Sequence, residues 1–286
     1  MAVERVAVVG AGTMGHGIAQ VAAMAGVRAR ITDTDPAALK DALERIETNL
    51  AGAATRGKLT NEDARLALAR VALEPSLSHA VRDADVVIEA IVEDLAAKRA
   101  LFDSLDELAP ETTILATNTS SLSIGTLAAA TKHPRRVIGM HFFNPAHIMR
   151  LVEIVPHADT GPDVVTRVRD LAIALGKTPI VVRDSPGFAS SRLGLALGLE
   201  AMRMLEQGVA SAEDIDTAMM LGYGHPMGPL RVSDVVGLDV RLRIAEYLHE
   251  ALNASQFEPP RILRQKVRDG ELGRKTGKGF YEWPTT

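Results

Sequence analysis

Near the N-terminus an apolar run, Val6-Ala7-Val8-Val9, passes directly into Gly10-Ala11-Gly12-Thr13-Met14-Gly15, and the next apolar run, Ala29-Arg30-Ile31, is closed by Asp33. No other stretch restricts the fold as much, because each glycine answers a separate steric demand. Gly10 permits a tight turn from strand to helix, Gly12 lets backbone approach a pyrophosphate, and Gly15 lets the helix pack closely on the sheet. A helix N-terminus then faces the phosphates, where its free N–H groups and the positive end of its dipole favour anions. A carboxylate roughly 20 residues past the glycines accepts hydrogen bonds from both adenosine ribose hydroxyls and repels a 2′-phosphate. A glycine triplet alone is often only a turn, but strand, opening helix and acid together predict a dinucleotide site. The expected cofactor is NAD rather than NADP, held by Gly10, Gly12, Thr13, Met14, Gly15 and Asp33.

The chain has 286 residues, 47% of them hydrophobic, enough for a large core and, at roughly 100–200 residues per domain, for two domains. Formal net charge is −4 and no dense Lys/Arg block appears, so neither nucleic acid nor an anionic membrane is the expected partner. Small-molecule chemistry is the better reading. The N-terminus enters a charged strand without a signal-peptide pattern, and no apolar run reaches about 18 residues, so a cytoplasmic setting is expected. Cysteine is absent, which removes disulfides, thiolate metal sites and a thiol nucleophile, and no metal is expected.

Strand and helix patterns alternate up to about residue 184. Pro36 opens a long helical stretch through Arg56, and a second helix follows Thr60 with an acidic start at Asn61-Glu62-Asp63. Strands are expected at Asp85–Glu89, Thr113–Ala116, Val137–Met140 and Lys177–Val182, with a helix from Asp94 to Leu108. Such alternation predicts an α/β fold, a Rossmann-like and mostly parallel sheet with helices on both faces, over residues 1–184. Asp184-Ser185-Pro186-Gly187 breaks the pattern. Beyond it Leu193, Leu197, Ala201 and Leu205 recur at helical spacing, so residues 185–286 are expected to form an all-α domain for substrate and dimerisation.

Six further motifs occur in order: Asn118-Thr119-Ser120-Ser121-Leu122, Gly139-Met140-His141-Phe142-Phe143-Asn144-Pro145, Leu151-Val152-Glu153, Pro186-Gly187-Phe188, His225-Pro226-Met227-Gly228-Pro229 and Lys275-Thr276-Gly277-Lys278-Gly279-Phe280-Tyr281. Together they resemble the short-chain L-3-hydroxyacyl-CoA dehydrogenases, in particular the bacterial 3-hydroxybutyryl-CoA enzymes, over essentially the whole chain. The length leaves no room for an attached hydratase domain, so a monofunctional enzyme is expected. The resemblance implies interconversion of L-3-hydroxyacyl-CoA and 3-oxoacyl-CoA with NAD, in a homodimer formed through the C-terminal domain.

Oxidising a secondary alcohol needs a base for the hydroxyl proton while hydride leaves toward the nicotinamide, and histidine has the proton affinity nearest neutral pH. His141 sits just past an apolar strand, and Glu153, at the far end of the next apolar run, can accept the other ring N–H. By residue type alone His141 is more often a buried structural histidine; the resemblance implies the catalytic dyad. It also implies that Ser120 holds the substrate's C3 oxygen near the nicotinamide, although residue type alone makes Ser120 a helix cap. Asn144, Glu93, Lys98 and Lys275 match cofactor contacts, while Lys98 with Asp94 is equally readable as an i,i+4 surface pair. Asn49, Arg56 and Lys58 match CoA contacts, although Arg56-Gly57-Lys58 also reads as an ordinary helix end. One position departs from the family pattern: Ser191 stands before Arg192 where many members carry Asn, so a shorter donor to the substrate oxygen is expected. Two other readings stay open, a related β-hydroxyacid dehydrogenase on non-CoA substrates and a non-catalytic NAD-binding protein. The first would use a Lys base on a domain-linking helix, and Phe188–Arg192 contains no Lys.

Overall fold

The computed structural model describes residues 3–284. In chain order the elements are β1 (Arg5–Val9), α1 (Thr13–Met24), β2 (Arg28–Thr32), α2 (Pro36–Thr55), α3 (Asn61–Leu68), β3 (Val71–Leu73), α4 (Leu77–Val81), β4 (Val86–Glu89), α5 (Leu95–Leu108), β5 (Ile114–Thr117), α6 (Ile124–Ala128), β6 (Val137–Phe142), β7 (Leu151–Val155), α7 (Pro162–Ala174) and β8 (Thr178–Val181). There follow α8 (Ser190–Glu206), α9 (Ala212–Tyr223), α10 (Pro229–Val236), α11 (Leu238–Leu252) and α12 (Arg261–Arg268). The chain divides into two compact units, the first ending at Ser185 and the second starting at Pro186.

The first unit is built on one sheet in the order β3-β2-β1-β4-β5-β6-β7-β8. From β3 to β6 all neighbours are parallel, and the buried apolar runs of β1, β4, β5 and β6 are what strands covered on both faces require. The register pairs Val9 with Thr32 and with Glu89, and Glu89 with Thr117, so these carboxyl-terminal strand ends share one edge. Val6, Val8, Ile31, Val86 and Ile88 pack with Ile18, Ala19 and Ala22 of α1 and Leu39 and Ile46 of α2. Local chemistry sets the ends of α2 and α3. Asp35 caps α2 through the Ala37 N–H, Gly57 ends it with φ +67°, and Thr60 with Asp63 forms a capping box for α3.

The sheet differs from the sequence reading in two places. β3 is three half-buried or exposed residues, too short to show alternation, and was not expected. β7 runs antiparallel to β6, and β8 runs parallel to β7. The Phe143–Arg150 connection is shorter than the dozen or so residues a parallel crossover needs, so the chain turns back.

In the second unit Leu195, Leu199, Met202, Ile215, Leu230, Leu238, Leu248, Phe257 and Leu263 form the core. The spacing read along α8 chose the wrong stripe in part: Leu193 is 71% exposed, and the buried face runs through Leu195, Gly198, Leu199, Ala201 and Met202. With apolar residues nearly all round α8, period alone does not select a face. Two buried aspartates organise the rest. Asp216 accepts the N–H groups of Leu230 and Arg231 at the start of α10 and the Tyr281 hydroxyl, while Asp234 accepts the N–H groups of Phe280 and Tyr281 and the Trp283 indole. A Cβ on Gly228 would lie 2.2 Å from Asp216, and one on Gly279 would lie 2.2 Å from Asp234. The glycines of these motifs therefore serve close packing.

Candidate active site

The turn between β1 and α1 leaves no space for side chains at two of its glycines. A Cβ on Gly15 would lie 1.7 Å from the Gly10 carbonyl oxygen, and one on Gly10, at φ +106°, would lie 2.6 Å from the Ala90 carbonyl oxygen. Gly12, the N-cap residue of α1, has nothing within 4 Å of such an atom, as an approach path for a phosphate requires. Asp33 lies beside the turn, its carboxylate accepting the Ala11 N–H at 2.7 Å and the Asp35 N–H at 3.0 Å. A cleft of about 500 Å³ opens here, between the loops after β1 and β4, lined by Gly10, Gly12, Asp33, Pro75, Ile91 and Leu101. This is the point where strand order reverses and α/β sheets bind ligands. Apolar walls with one carboxylate fit an adenosine, so the residues present suit NAD.

His141 is the penultimate residue of β6 rather than a residue beyond it, and Glu153 lies in the middle of β7 rather than at its end. The two are directly opposed in the antiparallel register, which brings His141 Nδ1 to 2.8 Å from the Glu153 carboxylate. Side-chain exposure is 8% for His141 and 0% for Glu153. A buried carboxylate on Nδ1 favours the tautomer with the ring proton on that nitrogen. The Phe143 ring packs on the imidazole with centroids 4.5 Å apart, and Asn118 Oδ1 accepts the Phe142 N–H at 2.8 Å. Asn118 was quoted in a motif without a role; it ties the end of β5 to the strand that carries His141.

Ser120 does not cap a helix. That task falls to Ser123, whose hydroxyl accepts the Thr126 N–H at the start of α6. The turn carrying Ser120 is gripped by Glu93, one of whose oxygens takes the Thr119 hydroxyl at 2.5 Å, the Ser120 N–H at 3.0 Å and the Ser120 and Ser121 hydroxyls at 3.5 Å. Lys98 is no surface residue. It is 1% exposed, and its ammonium lies 2.5 Å from Glu89 and 3.3 Å from Glu93, while Asp94 caps α5 through the Ala97 N–H instead of pairing with Lys98. Glu89 itself was not singled out from sequence, although a carboxylate closing an apolar strand was the available signal.

A groove of about 450 Å³ gathers Thr13, His16, Asn49, Asn144 and His147. One nucleotide candidate, one nicotinamide candidate and one CoA candidate thus share a surface. Asn49 is fixed by a 3.0 Å hydrogen bond from its amide to Gln20 Oε1. Burial, then the neighbouring His16, Lys177 and Arg56, hold the His147 imidazole below its ordinary proton affinity. Arg56 and Lys58 are exposed; the Lys58 N–H bonds the Ala53 carbonyl at 2.9 Å, so the ordinary helix-end reading is present in the backbone. In the second unit, Ser191 is the second residue of α8 and Lys275 is exposed, its ammonium 2.6 Å from Asp239. Burial pulls the Asp239 carboxyl up, but Lys275 outweighs it and leaves the group below the usual carboxylate range.

A mostly parallel sheet with a dinucleotide turn at its switch point and a buried His–Glu pair at neighbouring strands defines a nucleotide-dependent oxidoreductase. The family model for the NAD-binding domain of 3-hydroxyacyl-CoA dehydrogenase matches residues 5–185, and that for the C-terminal domain matches residues 187–283. The chain belongs to the 3-hydroxyacyl-CoA dehydrogenase family. It is 45% identical over 283 residues to a probable 3-hydroxybutyryl-CoA dehydrogenase of Bacillus subtilis, covering 99% of this chain and 98% of that protein. A 3-hydroxyadipyl-CoA dehydrogenase of Escherichia coli is 43% identical over 98% of this chain and 59% of its own length. The crystal structure of an (S)-3-hydroxybutyryl-CoA dehydrogenase from Ralstonia eutropha superposes with a TM-score of 0.96 at 39% identity, over 99% of this chain and 100% of that one.

Proposed function

We propose that this chain is an NAD-dependent dehydrogenase interconverting L-3-hydroxybutyryl-CoA and acetoacetyl-CoA. The observation that carries the chemistry is the buried 2.8 Å contact between His141 and Glu153. In the oxidative direction His141 Nε2 takes the hydroxyl proton, and Glu153 fixes the tautomer and stabilises the imidazolium. NAD, when bound, supplies the hydride acceptor. Ser120 donates to the C3 oxygen, its turn held by Glu93. Gly10, Gly12, Thr13, Met14, Gly15 and Asp33 hold the adenosine and pyrophosphate end of the cofactor; Glu93 and Asn144 serve its nicotinamide end. Asn49, Arg56 and Lys58 meet the CoA, whose phosphates favour the two exposed cations.

The short acyl chain rests on the names of relatives, which also include a six-carbon dicarboxylic substrate. The test is oxidation of NADH on addition of acetoacetyl-CoA, with free acetoacetate as control. Turnover with the thioester alone is expected; equal turnover of the free acid overturns the CoA reading, and no turnover of either overturns the activity.

A further inference from the structure

Glu89 closes β4 at the sheet edge where the candidate site lies, and it is completely buried. Its carboxylate takes the Lys98 ammonium at 2.5 Å, the Ile91 N–H at 2.7 Å and the Thr117 hydroxyl at 2.6 Å. An ammonium as buried as that of Lys98 is tolerated only with a counter-charge, and one carboxylate is sufficient for that purpose. Lys98 has two. The second, Glu93, has a side chain 39% exposed and presents one oxygen to Lys98 at 3.3 Å. Its other oxygen collects the Thr119 hydroxyl, the Ser120 N–H and, at longer range, the Ser120 and Ser121 hydroxyls. A continuous polar chain therefore runs from the end of β4, through the first turn of α5, to the turn after β5.

We infer that Glu89 is a positioning residue, acting on Ser120 through Lys98 and Glu93. The Glu89 carboxylate sets where the Lys98 ammonium sits, and the ammonium sets where Glu93 can place the oxygen that grips the Ser120 turn. Without the Glu89 charge, Lys98 has only Glu93 as counter-ion and draws it away from the 119–121 turn. Ser120 then keeps its chemistry and loses its aim. Glu89 also holds the Ile91 amide, in the loop whose Ala90 carbonyl closes over Gly10, so the same carboxylate fixes both sides of the β4 strand end.

The inference rests on the dehydrogenase reading given above, and the experiment separates the two. In the full chain, Glu89→Gln is expected to lower kcat for acetoacetyl-CoA reduction about ten- to a hundredfold, the effect of displacing a donor by a fraction of an ångström to one ångström. KM for acetoacetyl-CoA should stay within about twofold, because Glu89, Lys98 and Glu93 are not among the residues assigned to CoA. The double variant Glu89→Gln/Lys98→Met removes the unpaired ammonium and should restore the melting temperature while kcat stays low. If the single variant does not fold, the double variant alone carries the test, with low kcat at near-parental KM expected. A parental kcat in the Glu89→Gln variant, or a kcat that recovers in step with the melting temperature in the double variant, overturns the inference. A parent protein that does not turn over acetoacetyl-CoA overturns the dehydrogenase reading instead.

Discussion

At Asp33 the carboxylate is held against the Ala11 amide, at the mouth of an apolar cleft, with no Arg in the adjoining Thr34-Asp35-Pro36. A ribose diol gains two hydrogen bonds there, whereas a 2′-phosphate meets like charge without a cation to offset it. NADH should therefore give a much higher kcat/KM than NADPH, and Asp33→Ser should weaken NADH and narrow the gap; comparable values for both cofactors in the parent would refute this. The dyad makes a sharper demand. His141→Gln should lose about 10²–10⁴ in kcat while NADH still binds, and Glu153→Gln should lose less because the ring remains. Alcohol oxidation needs the neutral imidazole and should rise with pH, while ketone reduction needs the imidazolium and should fall. Stopped-flow traces with both substrates across pH check the signs, and a folded His141→Gln protein with near-parental kcat would sink the assignment. The residues of the nucleotide turn were legible in sequence because their spacing is local. Glu89 was not, because its partners Lys98 and Thr117 come from a helix and a strand that only the fold brings to it.

Among the elements, α10 shows how a motif without chemistry earns its place. Its first turn has no side-chain cap of its own, and the orphan N–H groups of Leu230 and Arg231 are taken by Asp216 from α9. Asp216→Ala leaves the Leu230 and Arg231 N–H groups without their acceptor, while the Tyr281 hydroxyl keeps the Ala212 carbonyl, and should destabilise the protein by about 2–4 kcal/mol in urea unfolding. A loss under about 0.5 kcal/mol would show that water replaces the carboxylate. The strands and long helices of the first unit were readable because apolar runs and caps such as Thr60 with Asp63 act within a few residues. The reversal at β7 was not, since direction depends on connection length rather than on composition. His141, read as just past its strand, lies within β6, and Glu153, read at the far end of its run, lies in the middle of β7.

For the molecule as a whole, acid stability follows from carboxylates held by cations. Lys266 and then Lys278 hold Glu271 at about 2 against the ordinary 4.5. Burial raises the Asp106 carboxyl, but Arg136, the Lys132 N–H and His133 outweigh it and leave the group lowered. Folded-state values below the unfolded ones stabilise the native state above the unfolded value and lose that contribution as pH falls through the folded one. The melting temperature should therefore decline mainly between about pH 4.5 and about pH 2, and a decline complete before 4.5 would contradict the assignment. Assembly is open to an equally direct check. Leu193, Leu221 and Tyr223 of the second unit are 71%, 82% and 79% exposed, and we propose that a second copy of the chain covers them. Light scattering should give twice the chain mass, falling to one for Leu221→Glu, and a monomeric parent would exclude the dimer. No helix among the described residues is long and apolar enough to cross a membrane. Finally, His141 and Glu153 of the proposed dyad face each other only because β6 and β7 are paired residue for residue, and a shift of one would send Glu153 to the opposite side of the sheet. A misaligned hairpin can therefore be well folded elsewhere and still be inert. Specific activity after refolding counts the fraction of molecules in which these two strands have zipped correctly.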